Sequence, residues 1–494
     1  MKDTKLIELL KNLNKDELKE FEKFVSSPYF SRGRDVLPLL KSLKVFYPEF
    51  KDEKLTDNFL IKNLFKEKKS DADKNYSLLK TLTSELFKLG KEFLAYSEFS
   101  NDQNRKNFYL LNQLRKKKLY KEFEKEYKTS AEYEQKNDTG NSEDFLNKYF
   151  LYLSLAEYSV ETGDFKQAYE SIFMTAEYSA IVTLIRAFRL TEMKEVSKNF
   201  CRIETGFNLA EFLIENLDEE KFIKGIEINE KKYFPLIKIS YLIHKMTAER
   251  RDNSHYFKLK KLFFTHLDLM GQSEKYMLFG IMGSYCISML DDYNKDEFRN
   301  ELFEIYEKSI ELNAYKWRQE DDFPLSLFRN IVLTATGNDK LEWLENFILK
   351  YSGELNFMHR DNMKYYSLAY LFFSGNNYEK ALENLIKVKY DFFLFKSDVR
   401  NLYIRIYYEM DHTEQCYSVL DSMKHYLNTT KDLNEFFKKR FFNFVKYSSE
   451  LLRMKVTENY SNASLLKKRI ENEEHVELRR WLIAKAQELE KLQN

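Results

Sequence analysis

Three histidines stand at equal intervals in the sequence and could together hold a metal ion. His244, His255 and His266 are each 11 residues apart, so an unbroken helix would place their imidazole nitrogens on one face. The polar segment RRDNS separates the first two and predicts a helix break, with Asn253 or Ser254 starting a new helix. We therefore predict partly buried histidines here and no metal site.

Two SxxK pairs have the spacing of the nucleophile in penicillin-binding enzymes. They are Ser77 with Lys80 and Ser464 with Lys467. No KTG follows either pair, and the sequence contains no HExxH, GxxxxGK[ST], GxGxxG or paired CxxC motif. Because a nucleophile without its accompanying groups cannot complete a reaction, we predict a protein that is not an enzyme and binds no cofactor.

Adjacent carboxylates could serve as a general acid and base. Asp291 with Asp292 and Asp321 with Asp322 are such pairs, and both lie in polar breaks between apolar helical patterns. General acid–base catalysis requires a pocket that excludes water, whereas these positions favour solvated side chains or helix caps. We therefore assign no catalytic role to either pair.

The chain carries no sign of secretion or of membrane insertion. Cys201, Cys286 and Cys416 are far apart and each lies in an apolar pattern, which indicates buried thiols rather than disulfides. The N-terminal residues alternate charge with leucine, unlike a signal peptide. The longest uncharged run, between Lys275 and Asp291, is shorter than the roughly 20 residues of a membrane helix. A cytoplasmic protein is expected.

Composition indicates a folded, all-α protein. Hydrophobic residues make up 43% of the 494 residues, while only 12 glycines and 5 prolines are available for the turns of a β-rich fold. Lysine and arginine total 80 against 79 acidic residues, for a net charge of +1. This balance gives no overall field for nucleic acid, although it leaves local basic patches open.

Residues 1–100 predict an N-terminal helical domain. Asn14 can cap a helix with Glu17 at the third helical position, and apolar residues then recur on one face. The loop SSPYFSRGRD ends that helix, and a later helix is expected to start at a Ser70 cap. At least four helices are predicted in this region.

Residues 101–140 predict a linker helix followed by a flexible joint. The helix should run from about Asn104 to Tyr127, and the basic run RKKKLYK should lie on its solvated face. The segment KTSAEYEQKNDTGNSED that follows has little to bury, so we expect it to form the joint.

One turn pattern occurs twice, in SVETGDFKQAYESI (Ser159–Ile172) and in FFSGNNYEKALENL (Phe372–Leu385). Each has a helix end, a glycine or asparagine turn, an aromatic residue and a small residue opening a second helix. In the second stretch Asn376 takes the turn position, which asparagine tolerates because it visits the left-handed conformation. Cys416 follows Ala381 by 35 residues, close to the 34-residue period of tetratricopeptide repeats.

The packing residues of the second stretch fall at the positions of a tetratricopeptide unit: Tyr365, Leu368, Ala369, Phe372, Tyr378, Ala381 and Leu385. On these residues the chain resembles the tetratricopeptide-repeat superfamily, with a clear unit at 362–395, a partial unit at 149–182 and a degenerate one at 397–430. The resemblance implies an all-α, right-handed α-solenoid of antiparallel helix pairs, over residues 141–455. Residues 456–494 would form a helix that caps the array or pairs with a partner.

The resemblance also implies a concave groove for peptides. In the same register the first helix of each pair lines that groove, which nominates Tyr366, Tyr370, Asn401, Arg405 and Tyr408. The alternative for these residues is structural, with the tyrosines packed on neighbouring helices and Arg405 paired with an acidic residue such as Asp398. The predicted function is a non-catalytic scaffold that binds a peptide or protein segment.

Two other functions stay open at this point. A helical repeat protein can bind nucleic acid, which would require a continuous basic stripe along the groove. An adaptor could instead act through self-association of its N-terminal domain, because LLKNLNKDELKEFEKF is similar to the first helices of pyrin-type death-fold adaptors.

Overall fold

The computed structural model describes residues 2–31, 33–65, 72–138, 140–201, 206–229, 233–291, 293, 295–389, 393–430, 433 and 435–493. Within these ranges the chain forms twenty-four α-helices and two short 3-10 helices, and it contains no strand. The all-α prediction is confirmed. The chain divides into two compact units, which are Met1–Asn137 with Leu146–Tyr178 (unit 1) and Asp138–Phe145 with Ser179–Asn494 (unit 2).

The first nine helices in the described chain are α1 (Lys5–Asn12), α2 (Lys15–Ser26), α3 (Leu37–Lys44), α4 (Asp57–Leu64), α5 (Ala72–Asn101), α6 (Gln103–Lys116), α7 (Tyr120–Lys136), α8 (Ser142–Thr162) and α9 (Phe165–Cys201).

Helices α1 to α5 enclose the N-terminal core, which the sequence predicted. The Oδ1 atom of Asn14 accepts hydrogen bonds of 2.9 Å from the N–H groups of Asp16 and Glu17, and the Asn14 N–H donates to Glu17 at 2.7 Å. The predicted capping box is therefore confirmed. It starts α2, whose Phe21 packs 5.2 Å from the ring of Phe93 on α5. The predicted Ser70 cap lies outside the described residues.

The predicted single helix from Asn104 to Tyr127 is wrong, because α6 and α7 are separate. Lys118 adopts a left-handed backbone with φ of 58°, and the Leu119 N–H donates to the Leu114 carbonyl at 2.9 Å. Because of this turn, Leu111 of α6 and Phe123 of α7 are buried together with Tyr158 of α8. Helix α7 then continues through the first part of the predicted joint, as far as Lys136.

The remaining helices described are α10 (Leu209–Glu215), α11 (Glu219–Asn229), α12 (Phe234–Ala248), α13 (Ser254–Thr265), α14 (Gln272–Asp291), α15 (Phe298–Glu311), α16 (Leu325–Gly337), α17 (Leu341–Tyr351), α18 (Arg360–Ser374), α19 (Tyr378–Leu385), α20 (Phe393–Glu409), α21 (Thr413–Thr429), α22 (Glu435–Val456), α23 (Ala463–Asn472) and α24 (Arg479–Gln493). The 3-10 helices Leu267–Leu269 and Ser352–Glu354 follow α13 and α17.

One turn geometry closes six pairs of neighbouring helices in the described chain: α6 with α7, α8 with α9, α16 with α17, α18 with α19, α20 with α21, and α22 with α23. In each turn, a residue with positive φ precedes an N–H that donates to the carbonyl five residues earlier. The left-handed residues are Lys118, Gly163, Asp339, Asn376, Asp411 and Glu458. The predicted left-handed Asn376 is confirmed, and the turn that the sequence pattern revealed twice joins six helix pairs of the described chain.

Small residues lie where paired helices pack closely. Ala369 on α18 and Ala381 and Leu385 on α19 are completely buried, as the repeat register predicts. Cys416 on α21 takes the place of Ala381 in the next pair and is 1% exposed. Its Sγ lies 3.6 Å from the carbonyl oxygen of Ile404 on α20. The thiol therefore fills a small-residue position between two helices.

The C-terminal residues form two helices rather than the single predicted one. The segment Glu473–Leu478 separates α23 from α24 and ends with Leu478 at a φ of 54°. The Arg479 guanidinium donates to the carbonyl oxygens of Ile470, Glu471 and Glu474 at 2.8–3.2 Å, which holds the segment in place. Helix α24 then buries one face in the same core as α22: Leu482, Ala486 and Leu489.

Cys286 and Cys416 are free, buried thiols, as predicted. Burial raises the pKa of each to about 12. The side chain of Cys201 lies outside the described residues. By length and composition alone, Phe165–Lys194 in α9 could cross a membrane. It is the one such helix in the described chain, and a third of its apolar window is buried. A cytoplasmic location without membrane insertion stays a prediction.

Candidate binding groove

A groove in unit 2 has the volume and the lining of a binding site. Its volume is about 630 Å³, inside the range of roughly 300–1,000 Å³ typical of ligand pockets. Its walls come from α9, α12, α14, α16, α22 and the segment Glu473–Leu478. The lining residues, which define the groove below, are Glu192, Met246, Thr247, Arg250, Ile281, Ser284, Tyr285, Ile287, Ser288, Asp291, Tyr293, Asn330, Phe436, Phe437, Arg440 and His475.

Arg440 joins two walls of the groove. Its Nη1 lies 2.8 Å from Oδ2 of Asp291 at the end of α14, although the two residues are 149 positions apart in sequence. Its Nη2 lies 2.9 Å from Oε2 of Glu477 in the segment before α24. Arg440 is 8% exposed, whereas the side chain of Asp291 is 38% exposed. The guanidinium is thus held by two carboxylates, one of which is open to the groove.

Two carboxyl groups around the groove are held in surroundings that disfavour their charge. Burial raises the pKa of Glu192 on α9, and the positive charges of Arg250 and Arg189 only partly oppose this. Burial likewise raises the pKa of Glu477, against the opposing effect of Arg440. Both shifts arise from the burial of the carboxyl groups, which disfavours their charged forms.

Aromatic rings form the apolar part of the lining. Phe436 is 37% exposed, and its ring meets the edge of the His475 ring at a centroid distance of 5.0 Å. Tyr285 is nearly buried, and its hydroxyl donates to the carbonyl oxygen of Arg250 at 3.1 Å. Phe436 therefore offers an accessible ring, while Tyr285 stabilises the wall behind it.

Four of the five residues predicted for a groove lie instead in the interior of unit 2. Tyr366, Tyr370, Asn401 and Arg405 are each between 1% and 8% exposed, on α18 and α20. Arg405 places its guanidinium over the ring of Tyr370 at 5.5 Å, and its Nε donates to the carbonyl oxygen of Asn401. The four side chains therefore lie close together, as the sequence register predicts, but the surrounding protein buries them.

Asp398 organises this interior. Its carboxylate accepts hydrogen bonds from Nε of Arg329 at 2.5 Å and from Nη2 of the same residue at 2.7 Å. The Tyr366 hydroxyl also donates to this carboxylate, at 2.8 Å. The Tyr370 hydroxyl donates to its backbone carbonyl at 3.3 Å. Asp398 thus pairs with Arg329, not with Arg405 as the structural alternative suggested. Arg329, Asp398, Tyr366 and Tyr370 are called the buried charge cluster below.

Some polar atoms of the interior lack a protein partner. They are Oγ of Ser397, Oδ1 of Asn401 and Nη2 of Arg405, which lie one helical turn apart along α20. Each belongs to a residue that is less than a tenth exposed. An unpaired buried polar atom costs roughly 1–3 kcal/mol.

Tyr408, the fifth predicted residue, lies in the C-terminal core. Its ring meets the Trp481 ring of α24 edge-on at 5.3 Å, and Lys455 of α22 places its Nζ 4.6 Å from the same ring. Tyr408 is 3% exposed. A peptide-binding role for the five residues stays a prediction, and their geometry is that of packing residues.

The predicted break between His244 and His255 is present, because α12 ends at Ala248 and α13 begins at Ser254. His244 faces Thr191 at 2.8 Å, and burial lowers its pKa. His255 instead meets Glu249 at 2.8 Å and Asp252 at 3.5 Å. Ligand atoms of Glu249, Asp252 and His255 lie within 4.8 Å of one another. Lys245 also pairs with Glu249, so ion pairs account for this cluster.

The groove has no motif in the sequence because its residues come from distant elements. Asp291 was noted only as part of a polar break, and Asp292 beside it lies outside the described residues. Phe436 and Arg440 begin α22, and Glu192 lies inside the long helix α9. No short motif links these positions. The one usable signal was the FFKKR run after a polar break, which puts two aromatic residues and an arginine on the first turns of a helix.

No protein-family model, no curated protein and no solved structure matches this chain.

Proposed function

We propose that the protein is a non-catalytic scaffold that holds a segment of another protein in the groove. We further propose that the helix pairs of unit 2 form a tetratricopeptide-like, right-handed α-solenoid. The recurring left-handed turn and the buried small residues of α18 to α21 support the second statement, because both are packing features of stacked helix pairs.

The mixed lining of the groove is the observation that carries the proposal. The lining contains carboxylates, guanidinium groups and an exposed ring together, as in Glu192, Arg250, Asp291 and Phe436. A polyanion would require a continuous basic surface, and the two acidic side chains oppose it. A protein segment offers apolar and charged side chains together, which matches this lining.

Affinity capture with matched variants tests the proposal. The full chain, Phe436→Ala and Phe357→Ala are immobilised and exposed to lysate of the native cell, with and without nuclease. Phe357 is 80% exposed and lies outside the groove, so it is the matched control. We expect proteins retained by the wild type and by Phe357→Ala to be lost from Phe436→Ala, because accessible aromatic residues dominate binding at interfaces.

Two results would overturn the proposal. One is equal retention of the same proteins by Phe436→Ala, since the groove would then take no part in binding. The other is retention that disappears with nuclease, which would make nucleic acid the ligand and favour the basic surfaces elsewhere on the chain.

A further inference from the structure

The first turns of α9, which belong to unit 1, carry large apolar side chains that are open to solvent. Phe165, Tyr169, Ile172 and Phe173 are 60%, 61%, 43% and 70% exposed. The last three follow Phe165 by four, seven and eight residues within one continuous helix, so all four share one side of it. This side is called the outer face of α9 below.

The inner side of the same turns is already covered. Ala168 is 1% exposed, and the ring of Tyr178 lies 5.8 Å from that of Tyr152 on α8. A helix that is apolar on both sides is normally buried on both sides. The outer face of α9 is therefore an apolar surface that unit 1 itself does not cover.

The spacing of the outer face is that of a contact between two helices. Phe165, Tyr169, Ile172 and Ala176 follow one another at intervals of four, three and four residues, which is the alternation of a and d positions in a coiled coil. Ala176 is exposed as well, and none of the four positions carries a charge. A second helix can therefore pack along this line without burying a charged group.

The same line of residues fits a second copy of itself. It is symmetric about the midpoint between Tyr169 and Ile172, so two antiparallel copies related by a two-fold axis place Tyr169 against Ile172 of the second copy. The same arrangement places Phe165 against Ala176 of the second copy. The large Phe165 ring thus faces a small side chain at both ends of the contact, as interlocking helices require.

The charged residues beside the outer face do not oppose this pairing. Lys166 and Glu170 stand along the edge next to Phe173, and their side chains pair at 4.0 Å. In an antiparallel pair of helices this edge meets the same edge of the second copy. The aliphatic stem of Lys166 can then cover the exposed ring of Phe173 from the second copy.

The area of the outer face is sufficient for a dimer. Since an aromatic side chain can bury roughly 150–250 Å², the exposed parts of Phe165, Tyr169 and Phe173 offer about 400 Å² in each copy. Apolar patches of roughly 300–600 Å² on a monomer are often functional. With Ile172 and the stem of Lys166 included, two copies reach the area of about 1,000 Å² that a specific interface requires.

We propose that the protein forms a two-fold symmetric dimer through the outer face of α9, with the two helices antiparallel. This inference concerns a surface of unit 1 and does not depend on the groove of unit 2.

Sedimentation velocity of the full chain, at concentrations from about 1 to 100 μM, tests the dimer. We expect a monomer–dimer equilibrium for the wild type and for Phe357→Lys, the matched control, because Phe357 is 80% exposed and lies outside α9. Tyr169→Lys introduces a charge at the centre of the contact and should weaken the dimer at least about tenfold. Because Tyr169 is 61% exposed, the variant should keep the wild-type circular dichroism spectrum and melting temperature.

A mixture of two variants tests the antiparallel arrangement. Ile172→Glu alone should weaken the dimer as Tyr169→Lys does. When the two variants are mixed, the introduced lysine faces the introduced glutamate across the two-fold axis, so we expect the mixture to associate more tightly than either variant alone.

Three results would overturn the inference. The first is a wild type that stays monomeric over the whole concentration range. The second is a dimer that Tyr169→Lys leaves unchanged, or a mixture that associates no better than the single variants. The third is a monomer that binds vesicles of phosphatidylcholine and phosphatidylserine and loses this binding with Tyr169→Lys, which would assign the outer face of α9 to a lipid surface.

Discussion

The groove and the buried charge cluster of unit 2 contain the same kinds of residue, but they leave different atoms available. In the cluster, Asp398 receives two bonds from Arg329 and one from Tyr366, and its side chain is 8% exposed. In the groove, Asp291 shares Arg440 with Glu477 and stays 38% exposed. A carboxylate whose hydrogen bonds are complete stabilises the fold, whereas one with free surface can bind a partner.

The comparison also separates two roles for tyrosine and phenylalanine. Tyr366 and Tyr370 direct their hydroxyls at Asp398 and are covered by neighbouring helices. Burial raises the pKa of Tyr366 well above its usual value, and the negative charge of Asp398 adds to the effect. Phe436 has no hydroxyl group to direct at a carboxylate, and it exposes more than a third of its surface. An aromatic residue of unit 2 therefore indicates a binding surface only where its ring is exposed to solvent.

The largest expected effect is that of Asp398→Asn in the buried charge cluster. The substitution keeps the side-chain shape but leaves the Arg329 charge buried without its carboxylate. Losing one partner of a buried ion pair costs about 3–5 kcal/mol of unfolding free energy. Urea unfolding of the full chain measures the loss.

The matched control for Asp398→Asn is Asp411→Asn. Asp411 is 71% exposed, pairs with Lys455 and has a φ of 59° that asparagine tolerates. Its loss should be below about 1 kcal/mol. Equal losses for the two variants would contradict the structural role of the cluster.

A smaller loss is expected for Arg440→Met at the groove. Asp291 and Glu477 would both lose their guanidinium, but Asp291 can be hydrated, so we expect about 2–3 kcal/mol. The unfolding midpoint in urea is the measurement. Arg469→Met is the control, because Arg469 binds Glu450 through two hydrogen bonds and is 43% exposed. A loss no larger than that of the control would show that Arg440 does not join the two walls.

The smallest expected effect is on pH dependence, in Glu192→Gln. The native carboxyl has a raised pKa, so the native state holds its proton to higher pH than the unfolded state does, and ionisation destabilises the fold as pH rises. Removing the charge should raise the melting temperature slightly at neutral pH. The gain should disappear near the usual glutamate pKa of about 4.5 and below.

Melting curves across this pH range check the Glu192→Gln prediction, with Glu311→Gln as the control that should change little at either end. A Glu192→Gln variant that is less stable than the wild type at neutral pH would place Glu192 in a favourable ion pair instead.

Features that depend on neighbouring residues were predictable from the sequence. The capping box at Asn14 and Glu17, the left-handed Asn376, and the buried Ala381 and Cys416 all follow from spacings of a few residues. The turns at Lys118, Asp339 and Glu458 were not recognised as members of the same series, because their left-handed positions carry lysine or a carboxylate residue rather than glycine or asparagine.

Features that depend on distant residues were not predictable. The register correctly grouped Tyr366 with Tyr370, but only the folded chain brings Arg329 to Asp398 and covers them. The groove needs Asp291 and Arg440 in contact across 149 positions, and a single sequence has no signal for that pairing. Whether a residue packs in the core or binds a partner depends on its burial, and a helical register does not show burial.

Photo-crosslinking from position 436 tests directly whether the groove holds a segment of another protein. The full chain carries p-benzoylphenylalanine in place of Phe436, or in place of Phe357 as the control, and is irradiated inside the native cell. We expect a defined protein adduct from position 436, with its crosslinked peptides clustered in one segment, and no such adduct from position 357. Identical products from both positions, a nucleic-acid adduct, or no adduct from position 436 would contradict it.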